Sequence, residues 1–135
     1  MHNKLIQIIT VAALSLATAA PVQAQQPQWV EIAQTGGGDR VFFDTASQVR
    51  LFDAGVKQNT FRTVTLATVP GRRSLRSRYQ ADCFKGTLAL RGLELVNAQG
   101  TPIREVPLER ADKDPIVPAK DTIAADIWQY ACSQF

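Results

Sequence analysis

Residues 56–83 read VKQNTFRTVTLATVPGRRSLRSRYQADC, two extended runs on either side of Pro70-Gly71. Both runs are rich in the β-branched and aromatic residues that suit a pleated surface. Pro70 fixes φ for the first central position of a type II turn, and Gly71 takes the positive φ of the second. The stretch is therefore expected to fold as an antiparallel hairpin. A register with Val69 opposite Leu75 sets Thr65 against Tyr79, Thr63 against Ala81, Phe61 against Cys83, Leu66 against Arg78 and Arg62 against Asp82. The last pair is of opposite charge, which contributes a few tenths of a kcal/mol to about 1. A slip of one residue would turn every side chain to the other face.

Strand signals continue outward from this hairpin. Upstream, Trp29-Val30-Glu31-Ile32 alternates and is stopped by Gly36-Gly37-Gly38, and Arg40-Val41-Phe42-Phe43 returns as a second strand. Asp44-Thr45-Ala46-Ser47 reads as a single capped turn, since an Asp side chain accepts the free amides that follow it. Val49 to Phe52 and the Asp53-Ala54-Gly55 turn lead into the long run from Val56. Downstream, Leu88 and Leu90 keep one phase while Leu93 and Leu95 keep the other, with Gly92 at the switch. A β-bulge at Gly92 would return all four to one face. After a turn at Asn97-Ala98-Gln99-Gly100, Ile103 to Val106 forms a last strand, and the flanking Pro102 and Pro107 place it at a sheet edge. Leu108 to Pro118 is a loop of mixed charge.

The period then changes. Ile123, Ala124, Ile127, Trp128, Ala131 and Cys132 recur at helical spacing, with Asp121 or Thr122 as the cap. Trp29 and Trp128 both stand in apolar periodic contexts and are expected in the core. Six strands followed by one helix make an α+β fold, an antiparallel sheet packed against a C-terminal helix.

The first residues read as an address. Lys4 precedes an apolar run from Leu5 to Ala20, Pro21 ends it, and Val22-Gln23-Ala24 offers small residues at the two positions a signal peptidase reads. The run is short for a transmembrane helix, which needs about 20 apolar residues. Residues 1–24 are thus expected to be a cleaved signal peptide and 25–135 a single domain. No cysteine lies near the junction, so no lipoprotein acylation is expected. Cys83 and Cys132, the two cysteines of the chain, both fall in the exported part, where a disulfide is the favoured state. A redox-active pair would be expected in a Cys-x-x-Cys turn instead. Closing a loop of roughly 50 residues restricts the unfolded chain by about 4 kcal/mol in the chain-entropy model.

The chain's 135 residues allow one domain, and 45% hydrophobic with 20% charged residues is a globular balance. A formal charge of +3 is too small to imply nucleic-acid binding. Losing Lys4 from 15 basic residues leaves 14 against 12 acidic ones, or +2. His2 is the one histidine and departs with the leader, taking with it the usual neutral-pH general base and imidazole metal ligand. Asp112 and Asp114 lie in a charged loop, and Asp39, Asp44 and Asp53 adjoin turns, where Asp bonds locally. None offers the alternating carboxylates of a calcium loop. Gly36-Gly37-Gly38 lacks the helix and the Lys-Ser/Thr ending of a phosphate cradle. No enzyme activity, metal or cofactor is expected. One surface feature stands out: Arg72, Arg73, Arg76 and Arg78 fall within seven residues at the tip and outer face of the central hairpin. Arginine forks suit phosphate, sulfate and carboxylate, whereas a purely structural role would be a soluble hairpin tip guarded against edge pairing.

Trp29, Phe43-Asp44-x-x-Ser47, Asp82-Cys83, Gly100, Pro118 and Cys132 follow one another in an order and spacing that resemble the surface-adhesin protein E family of small exported bacterial proteins. The likeness spans Trp29 to Cys132. It implies an antiparallel sheet on a C-terminal helix, Cys83 and Cys132 as the linking disulfide, and a namesake activity of binding matrix proteins such as vitronectin and laminin. Ile116, Lys120 and Asp121 stand where the family commonly has Trp and Ser around its final proline, and the namesake's lipid anchor is not carried over. The expected function is a non-catalytic, exported binding or adhesin-like module, periplasmic or extracellular, docking a protein, an anionic glycan or lipopolysaccharide through Arg72, Arg73, Arg76 and Arg78. The alternative is a periplasmic structural or envelope-maintenance protein with no dedicated ligand site.

Overall fold

A computed structural model describes residues 26–135; the expected signal peptide over 1–24 lies outside them. Six strands, β1 (Trp29–Gln34), β2 (Arg40–Asp53), β3 (Val56–Leu66), β4 (Ser74–Asp82), β5 (Thr87–Val96) and β6 (Pro102–Glu105), form one antiparallel meander in the order β1-β2-β3-β4-β5-β6. A single 3-10 turn at Arg110–Lys113 and one α-helix, α1 (Ile123–Cys132), complete the elements of the described residues. No helix among the described residues is long and apolar enough to cross a membrane.

Helix α1 starts where the hydroxyl of Thr122 accepts the Ala125 amide at 3.2 Å, while Asp121 takes a left-handed φ of 63°, a conformation that Asp tolerates. Its apolar stripe meets the residues that β2 to β5 turn to the same side. Val41, Phe43, Phe61, Ala81, Leu88, Ile127 and Ala131 form the core, with Tyr79 and Trp128 half-buried against it. Phe43 stacks on Phe61 with ring centroids 4.5 Å apart, and Tyr130 meets Phe43 edge-on at 4.7 Å. Three ties pin the helix. Cys83 and Cys132 are disulfide-bonded, with Cα atoms 5.7 Å apart. The Trp128 indole donates to the Asp82 carbonyl at 3.2 Å, and the buried Asn59 amide donates to the Ala131 carbonyl at 3.0 Å.

The central hairpin forms in a different register. Leu75 pairs with Thr65 rather than Val69, Tyr79 with Phe61, and Arg78 with Arg62; Asp82 faces Gln58. The turn at Val69–Arg72 is present, with Gly71 at φ 87° and the Arg72 amide donating to the Val69 carbonyl at 3.2 Å. It caps a wider loop, because residues 67–73 are drawn toward the β1–β2 turn. Thr68 donates to the Gly38 carbonyl at 3.1 Å, Arg72 to Asp39 at 3.1 Å, and the Ala67 amide to the Ser74 hydroxyl. The displacement is four residues, an even number, so each side chain keeps its face and only its partner changes.

Two further expectations change. Asp44 to Ser47 is no helical turn; it lies inside the continuous strand β2, as a bulge between the pairs Asp44 with Arg62 and Val49 with Thr60. Asp44 does accept a following amide, that of Ala46 at 3.1 Å, and also the Gln28 amide just before β1 at 2.8 Å, while the Ser47 hydroxyl donates to the Asp44 carbonyl. Those bonds hold the bulge. Trp29 is not in the core: it is 38% exposed, because an edge strand puts it in register with Asp44 on the side away from α1. The bulge at Gly92 is as expected. Arg78 faces Gly92 and Tyr79 faces Leu90, leaving Arg91 as the extra residue. Beyond β6, the outer edge of β5 stays covered by the Val106 amide on the Leu93 carbonyl and by Ile116 paired with Leu88.

The double variant Cys83→Ser/Cys132→Ser is expected to lose about 4 kcal/mol of unfolding free energy, the loop-closure contribution of a cross-link of this span. Urea titration of both proteins measures it, and an unchanged midpoint would show the helix held by packing alone. Tyr79 provides a second check. Burial raises its phenol above the ordinary value of 10.0, partly offset by a bond from Ser77. The phenol then ionises first in the unfolded chain, so its contribution to stability is complete below about pH 10 and is lost as the pH rises through the higher folded value. Melting temperatures of Tyr79→Phe should therefore fall less steeply than those of the parent above about pH 10.

Candidate functional site

With α1 on one side, the opposite side of the sheet carries no helix among the described residues. Its residues fall in rows fixed by the pairing. One row runs Trp29, Asp44, Arg62, Arg78, Gly92; the next runs Glu31, Phe42, Val64, Arg76, Glu94, Glu105, across all six strands. The sheet curls around this side. Gln99 and Gly100, in the β5–β6 turn, line one slot with Trp29, Phe42, Val64 and Leu66 from the far strands. That turn is tied by the Asn97 carboxamide, which accepts from the Gln99 and Thr101 amides. The open side is consequently a concave face.

A groove of about 390 Å³ crosses its middle, with Arg62, Arg76, Arg78, Gly92, Glu94 and Glu105 among its lining. Arg62 and Arg78 stand directly opposite each other on neighbouring strands, and both are exposed. Neither forms an ion pair among the described residues. Like charges so placed destabilise a sheet. Arg78 lies over Gly92, where an added Cβ would sit 3.6 Å from its Nη2, and that nitrogen donates to the Arg91 carbonyl at 3.3 Å. Arg76 pairs with Glu94 at 3.2 Å, and its side chain is only 19% exposed. Glu94 in turn faces Glu105 on β6. At the rim, Arg40 grips Glu31 through two bonds of 2.8 Å; the guanidinium holds the Glu31 carboxyl below its ordinary range, and the carboxylate raises Arg40 above its own.

The four arginines read from the sequence therefore separate. Arg76 and Arg78 sit in the groove, while Arg72 and Arg73 lie at the hairpin tip beside a second hollow lined by Thr68, Pro70, Leu95 and Ile103. Arg72 is engaged with Asp39. Arg62, Glu94 and Glu105 complete the groove; the register expected from sequence hides Arg62 by giving it Asp82 as an acidic partner. For Arg62 the signal is the hairpin register displaced by four residues, which keeps both faces and brings it level with Arg78; for Glu94 it is the change of phase at Gly92, and β6 then sets Glu105 opposite it. Elsewhere, the exposed rings of Phe52 and Phe135 lie 5.6 and 5.1 Å from the Lys57 ammonium, a cation–π cluster at the opposite end of the hairpin.

Comparison with protein-family models, with curated proteins and with solved structures finds no match to this chain.

Gly92 is the pivot of the groove. Gly92→Ala places a methyl at ordinary contact distance from Arg78 and is expected to leave the guanidinium in place. Gly92→Val adds carbons where that guanidinium lies, and should swing it off the Arg91 carbonyl. The Arg78 Nε–Hε resonance in ¹⁵N spectra reads the difference; identical spectra for the two variants would mean the side chain is not seated there.

Proposed function

We propose that this protein is a non-catalytic binding module, acting after export, that docks an anionic partner on the concave face of its sheet. The observation that carries the reading is the opposition of Arg62 and Arg78, two exposed guanidinium groups that form no ion pair among the described residues; Asp44, on the other side of Arg62, is buried and accepts backbone amides. The mutual repulsion of the two arginines is relieved by an anion lying across both, and planar forks of this kind match carboxylate, sulfate and phosphate oxygens. Arg76 flanks the seat from its pair with Glu94. The leader-like residues 1–24 and the disulfide between the two cysteines support an oxidising compartment. With both thiols bridged and His2 in the leader, residues 25–135 hold neither a free thiol nor an imidazole to activate a hydroxyl, which supports binding rather than catalysis. The resemblance to the surface-adhesin protein E family points the same way, toward a protein or glycan partner.

A second reading, an envelope-maintenance protein with no dedicated ligand, draws on Arg72 and Arg76. Both are engaged in ion pairs within the chain, and such arginines order and solubilise a surface.

Retention on immobilised heparin, with lipopolysaccharide, laminin and vitronectin as further surfaces, separates the two. Arg62→Glu/Arg78→Glu is expected to abolish retention at physiological salt, while Arg72→Glu/Arg73→Glu weakens it little. Loss confined to the tip variant would move the docking surface to the hairpin end. Retention unchanged in both would leave the second reading standing.

A further inference from the structure

Resting on the anion-docking reading, we infer that the groove is built for a small zwitterion, a molecule carrying a carboxylate and a primary ammonium some 7–10 Å apart, the span between the ends of a di- or tripeptide. The groove holds opposite charges at its two sides. Arg62 and Arg78 form the cationic side on β3 and β4, and Glu94 and Glu105 the anionic side on β5 and β6. Each side consists of like charges facing each other across neighbouring strands. Arg76 and Glu94 satisfy one another at 3.2 Å. Two guanidinium groups and the Glu105 carboxylate are left without ion pairs among the described residues. An anion alone would satisfy the first side only.

Spacing follows from the sheet. Arg78 and Glu105 lie two strands apart, about 10 Å between strand axes, and one row apart along them, a further ~7 Å. Both are long side chains lining the same concavity, so they can lean together and shorten that diagonal. Gly92 lies in the row of Arg62 and Arg78, and having no side chain it lets the Arg78 guanidinium rest over it between the two sides. A groove of about 390 Å³ has room for such a molecule. A carboxylate would lie across the Arg62 and Arg78 forks, and an ammonium would donate to Glu105 with Glu94 beside it. Hydrogen bonds to charged groups of this kind are the stronger ones.

Calorimetric titration of the oxidised domain with trialanine, N-acetyl-trialanine and trialanine amide tests this. Trialanine is expected to bind in the millimolar range, and blocking either end should weaken it by about fivefold or more, a difference of about 1 kcal/mol. In Arg62→Gln/Arg78→Gln the penalty for amidation should vanish; in Glu105→Gln the penalty for acetylation should vanish. Equal affinities for the three peptides, or no heat with trialanine, would overturn the inference. If heparin retention still depends on Arg62 and Arg78 in that case, the anion-docking reading survives and only the zwitterion is lost. Preference for the acetylated peptide over the free one would show that the acidic side repels rather than seats its ligand, and would also overturn it.

Discussion

A ten-residue helix is about 15 Å long, whereas six strands spaced at about 4.8 Å span nearly 25 Å. One helix can therefore cover only part of one face, and it must be held where it does so. The Cys83–Cys132 bridge, the Trp128 indole on the Asp82 carbonyl and the Asn59 amide on the Ala131 carbonyl fix it from its middle to its last turn. Asn59 also donates to Gln48 inside the β2 bulge at 2.8 Å, so the helix end and that bulge are set by one buried side chain. With this face closed, the other has no helical partner among the described residues, and it is satisfied by curling of the sheet and by polar contacts.

Curling brings distant strands into one wall. Gly100 approaches Val64, whose Cγ2 lies 4.0 Å from where a Cβ on the glycine would sit, and Val64 is buried at 4% exposure although no helix among the described residues lies above it. The bulge beside Gly92 performs the complementary task. It returns Leu93 and Leu95 to the side of Leu88 and Leu90, facing Ser77 and Leu75. The same change of phase turns Glu94 toward the open face, where it meets Arg76. Packing and charge placement thus follow from one inserted residue.

Much of this was legible in sequence. The strand runs, the Gly92 bulge, the proline-flanked edge strand and the helical stripe each state a period or a turn chemistry in neighbouring residues. Three things were not. The hairpin register rests on Thr68 and Arg72 reaching Gly38 and Asp39 across another turn, contacts that no local pattern announces. Asp44 carries the same acceptor chemistry in a bulge as at a helix start, so its identity could not decide between them. Trp29 is apolar and periodic, yet its place on an edge strand leaves one side of the indole uncovered. The candidate site suffered most, because it is a property of cross-strand neighbours, and a register displaced by four residues exchanges every neighbour while leaving every face intact.

That dependence also explains the balance of charges in the groove. Opposed like charges cost a few tenths of a kcal/mol to about 1 each, small against the 5–15 kcal/mol that holds a domain of this size together. The sheet can therefore carry both repulsive pairs at once. The hairpin register brings Arg62 and Arg78 together, and β6 brings Glu105 against Glu94. Walls of low polarity around such a concavity concentrate its field, and the nearby slot of Trp29, Phe42, Val64 and Leu66 supplies one. Charges that would be nearly silent on a flat, fully hydrated surface are thereby able to orient a small charged molecule.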